Sequence, residues 1–83
     1  MDGDNKIIAA RLEQIRRENG LTLDAMGEIM GVSGATISRY ISGDVQLDNV
    51  SIRRYINLAK HFGLNPPWVM DLSDKQFKYG LSA

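Results

Sequence analysis

The sequence predicts an all-α fold, compact and built from five helices, and three observations predict it. Apolar residues recur three and four positions apart through most of the chain. Thr22, Ser33, Ser51 and the pair Asn65-Pro66 stand where helices start, because their side chains or a pre-set φ suit a first turn. Gly20, Gly31 and Gly63 stand where helices end.

The first helix is expected over Lys6–Asn19, with residues 1–5 a flexible polar N-terminus. Ile8, Leu12 and Ile15 make its apolar stripe, with Ala9 beside them, while Arg11, Glu13, Arg16, Arg17 and Glu18 face elsewhere. On residue type alone those arginines form a solvated face, with phosphate contact the alternative.

Leu21–Gly43, LTLDAMGEIMGVSGATISRYISG, organises the rest. Thr22 caps a second helix, and Asp24 sits in its first turn, where the helix dipole favours an anion. Gly31 breaks it and Ser33 caps a third helix, so residues 22–42 form a tight helix-turn-helix. Met26, Met30, Val32, Ile37 and Tyr40 have the spacing of one shared apolar face. Ala25 and Gly27 fall where the two helices approach closely; glycine inside a helix costs about 1 kcal/mol against alanine, so contact outweighs propensity there.

After Gly43, DVQLDNV has no helical period and reads as a loop. Ser51 caps a fourth helix with Ile52, Tyr55, Ile56, Ala59 and Phe62 as its stripe, ended by Gly63. Asn65-Pro66 opens the fifth, whose Trp68, Val69 and Leu72 are expected to face inward or toward a partner. The tail, residues 73–83, alternates Phe77, Tyr79 and Leu81 with Gln76, Lys78 and Gly80. A lone strand of that period does not stand unpaired, so the tail is a disordered end, a dimerisation arm or a segment lying on the body.

Composition narrows the function. One domain of 83 residues, with no cysteine, excludes disulfide frameworks, thiol catalysis and thiolate metal sites. A single histidine, His61, leaves neither a transition-metal site nor a nucleophile–base pair, and no phosphate loop or dinucleotide fingerprint is present. Asp44 and Asp48 lie four apart but in a loop, a poor setting for paired-carboxylate chemistry. No enzyme activity and no cofactor are expected. Neither a leader peptide nor a membrane span is visible, which suits a cytoplasmic protein.

Residues Gly20, Leu21, Thr22, Met26, Gly27, Ile29 or Met30, Gly31, Val32, Ser33, Thr36, Ile37, Ser38, Arg39, Tyr40 and Gly43 together resemble the helix-turn-helix of the phage repressor and Cro-type family. The resemblance runs from about Ile8 to Leu72, against a domain expected over 6–72. It implies a repressor-like fold and a small transcriptional regulator, cytoplasmic and nucleoid-associated, of bacterial or phage origin. Such a protein binds double-stranded DNA, a palindromic operator, as a homodimer, with helix 34–42 in the major groove.

Carried onto this chain, base contact falls to Gly34, Ala35, Thr36, Ser38 and Arg39, and backbone contact to Thr22, Leu23, Arg16, Arg17 and Gly43. Arg39 suits O6 and N7 of guanine, with a phosphate contact or a surface salt bridge the alternative, and Ala35 suits a thymine methyl. Trp68, Val69, Phe77 and Tyr79 are the dimer-interface candidates, with core burial the equal alternative for Trp68. The sequence departs from the family at Gly34 and Leu23, where glutamine is frequent. Formal net charge is zero, and Leu21–Val50 is net acidic by three, with Arg39 its only base. Ile41, expected exposed, and that neutrality favour the alternative, a protein-protein interaction module such as an antitoxin or adaptor.

Overall fold

The computed structural model describes residues 2–43, 45–47, 50–72 and 76. Among them are five helices: α1 (Asp2–Glu18), α2 (Leu23–Met30), α3 (Gly34–Ser42), α4 (Ile52–Phe62) and α5 (Pro66–Val69). α2 packs on α3 and α4, α3 also meets α1, and α5 closes between α1 and α4. The core they share takes Ile8, Leu12 and Ile15 from α1, Met26 and Met30 from α2, Ile37 and Tyr40 from α3, and Tyr55, Leu58 and Ala59 from α4.

Local chemistry sets the ends. Leu21 N–H donates to the Arg16 carbonyl (2.9 Å) and Gly20 N–H to that of Arg17 (3.2 Å), a Schellman closure that needs Gly20 at φ 62°. The Thr22 and Ser33 hydroxyls accept from Ala25 and Thr36 N–H, at 3.0 and 3.1 Å. The same closure ends α5, but with Asp71 at φ 61°, and Leu72 N–H reaching the Pro67 carbonyl at 2.7 Å.

The close approach expected at Gly27 is present. A β-carbon there would run into the Val32 carbonyl oxygen and stand 3.0 Å from the Ser33 carbonyl carbon, both backbone atoms that cannot rotate away. The chain therefore enters the turn directly over α2.

Three expectations change. α1 begins at Asp2 rather than Lys6, taking in the segment expected to be flexible, and the Asn5 Oδ1 accepts from Leu47 N–H at 2.6 Å. Leu47, expected in a loop, is fully buried; Tyr55 donates its hydroxyl proton to the Leu47 carbonyl, so side chains of α1 and α4 satisfy both of its polar backbone atoms. The stripe of α4 runs through Tyr55, Leu58 and Ala59, while Ile52 is 57% exposed. Two apolar ridges lie side by side on that helix, and packing against α2 and α5 selects the one carrying Leu58.

Trp68 and Val69, expected to face either inward or a dimer partner, lie in the chain's own core, 5% and 0% exposed, because α5 is wedged between α1 and α4. Leu72 is exposed. Phe77, Tyr79, Leu81, Asp44 and Asp48 lie outside the described residues; of the tail, the Gln76 carbonyl accepts from Asn65 N–H at 2.9 Å.

Candidate functional site

α3 presents two unlike faces. Ile37 and Tyr40 point into the core, while Ala35, Ser38, Arg39 and Ser42 are exposed and Thr36 is half-buried beside its cap, its hydroxyl 3.0 Å from that of Ser33. Gly43, at φ 83°, ends the helix. Arg39 has no side-chain hydrogen bond or ion pair among the described residues. An exposed guanidinium held on a rigid helix without a partner is a donor fork directed at whatever docks on that face.

Gly34, expected on the exposed face, is buried. It lies beneath the first turn of α2, where a side chain would collide with Asp24. Its role is close approach of the two helices. Leu23 is 36% exposed at the start of α2, next to the Thr22 cap. Gly43 is exposed, but its N–H already donates to the carbonyls of Arg39 and Tyr40.

The basic residues divide into bound and free. Arg16 grips Glu13 with two hydrogen bonds, 2.7 and 2.9 Å, and donates a third to the Leu21 carbonyl at 3.0 Å. Arg17 donates to the same carboxylate at 2.8 Å but stays 75% exposed. Arg11, read from sequence as solvated, instead crosses to α5: it lies 4.8 Å from the Trp68 ring centre, donates to the Trp68 carbonyl and pairs with Asp71 at 3.6 Å. Arg54 donates to the Gly31 carbonyl at 3.1 Å and closes the end of α2. Arg53 is exposed and, like Arg39, has no side-chain partner among the described residues.

Glu13 answers to this arrangement. Hydrogen bonding from Arg16 foremost, and then from Arg17, outweighs partial desolvation and holds its carboxyl at about 2, against an ordinary 4.5. The folded state thus binds the proton less readily than the unfolded chain. Its stabilising contribution is complete above pH 4.5 and is lost as pH falls toward 2. Thermal melts between these limits should show wild type losing stability faster than Glu13→Gln; parallel curves would overturn this. The spacing of Glu13 to Arg16 and Arg17, three and four residues, makes this cluster legible in the sequence.

Between α1, α2 and α3 runs an open groove lined by Glu13, Arg16, Leu23, Ser38, Ile41 and Ser42. Ile41, expected exposed, is half-buried against the core. That removes one of the two features that favoured a protein-binding module. His61 is exposed, edge-on to Phe62 at 4.7 Å. Among the described residues, no cluster of His, Asp or Glu could hold a metal ion, and no helix is long and apolar enough to cross a membrane.

A sequence model of the family described as Helix-turn-helix matches residues 12–69, from within α1 to the end of α5. No curated protein and no solved structure matches the chain.

Proposed function

Because the chain belongs to the helix-turn-helix family of phage repressor and Cro-type proteins, a family of double-stranded DNA-binding transcription regulators, we propose that it is a sequence-specific repressor that lays α3 in the major groove. The observation that carries this is the bare outer face of α3, on which Arg39 stands without a partner among the described residues. Arg39 reads guanine, Ala35 meets a thymine methyl, and Ser38 and Thr36 offer hydroxyls to base or phosphate. The start of α2 at Thr22 and Leu23 anchors on the backbone, where unpaired N–H groups and the helix dipole favour phosphate. Arg17, largely exposed, supplies an adjacent cation.

Two copies bind half-sites about one helical turn apart. With Trp68 and Val69 buried, Phe77 and Tyr79, which lie outside the described residues, remain the candidates for the dimer contact.

Phosphate contacts are few, since Arg11, Arg16 and Arg54 are engaged within the fold. Two or three such contacts give a slope of log affinity against log salt between about −2 and −3. Selection from random duplexes at low salt tests the reading. An enriched palindrome and a shallow slope are expected; absence of saturable binding overturns it.

A further inference from the structure

The start of α3 carries an acid where a side chain of its own would stand. A β-carbon built on Gly34 would run into the Asp24 carboxylate and lie 3.0 Å from the Asp24 backbone nitrogen, so Asp24 fills the space into which position 34 would project. Asp24 is itself exposed, and among the described residues no cation or side-chain donor pairs with it. The local reason for an acid here is the dipole of α2, in whose first turn it lies. That does not explain why the carboxylate is laid across the neighbouring helix.

We propose that Asp24 is a specificity-determining residue of the DNA-reading face, accepting a hydrogen bond from the exocyclic amine of a cytosine in the major groove. The proposal rests on α3 lying in that groove. At 1.5 Å rise per residue, positions 34 and 39 are about 7.5 Å apart along α3, roughly two base steps of 3.4 Å. The carboxylate and the Arg39 guanidinium therefore reach different base pairs. A carboxylate accepts only, so it selects against guanine and thymine, which turn acceptors to the groove, and against adenine, whose N7 acceptor sits beside its amine. Cytosine presents N4–H alone.

Selection from random duplexes with wild type, Asp24→Ala, Asp24→Asn and Arg39→Ala tests this, with circular dichroism confirming that each variant stays helical. Wild type should enrich cytosine about two base steps from the guanine that Arg39→Ala loses. Asp24→Ala should lose that cytosine, about fivefold or more in discrimination, and keep the guanine. Asp24→Asn should turn the preference to adenine, whose N6 and N7 pair with a carboxamide. An unchanged profile in both Asp24 variants overturns the proposal while the guanine readout by Arg39 stands. So does tighter binding to every sequence with a salt slope steeper by about one, the mark of simple repulsion. Wild type binding no duplex overturns both this and the DNA reading.

Discussion

Trp68→Ala is expected to lower the unfolding free energy by about 3–5 kcal/mol, the cost of emptying a buried tryptophan site. Domains of this kind have only about 5–15 kcal/mol in total. The indole is 5% exposed, and α5, of four residues, has little to hold it apart from that ring, Val69 and the contacts of Arg11. The substitution therefore weakens the docking of α5 on both α1 and α4. A melting temperature lower by at least about 12 °C follows, from roughly 4–8 °C per kcal/mol in a domain of this size. The loss should be the same at every protein concentration. Were it to fade on dilution, the ring would lie between subunits and its burial within one chain would be refuted.

Arg39→Ala is expected to remove discrimination at one base position, by about 1–3 kcal/mol or roughly 5- to 150-fold, while affinity for other sequences changes little. Its melting temperature should match wild type, because the guanidinium is exposed and makes no side-chain hydrogen bond or ion pair among the described residues. Arg39→Lys should restore the preference only in part, since an ammonium can reach O6 and N7 of guanine but lacks the planar fork that fixes two parallel bonds. Competition assays with single-base variants of the selected site measure both. A loss spread evenly over all sequences, with the salt slope reduced by about one, would instead make Arg39 a phosphate contact.

The fold was open to reading wherever its cause is local. Thr22, Ser33 and Gly31 act on backbone groups within a few residues, so the turn motif and its family pattern could be placed before any contact was known. Ile8, Leu12, Ile15, Ile37 and Tyr40 likewise follow from period and appear in the core. Of the candidate site, the exposure of Ala35, Ser38 and Arg39 was legible for the same reason: once Ile37 and Tyr40 turn inward, the others turn out.

The remainder depended on neighbours distant in sequence. Whether Arg11 is solvated or locked turns on Trp68, 57 residues away. Leu47 becomes core because Asn5 and Tyr55 satisfy its amide and carbonyl, and Gly34 is covered because Asp24 lies over it. What the sequence alone determined is therefore the helices, their caps and the face that α3 turns outward, since period and capping act within a turn of the chain. Tertiary structure alone decided which basic groups are left for a ligand and which aromatic closes the core, because pairing and burial are set by what the fold brings alongside.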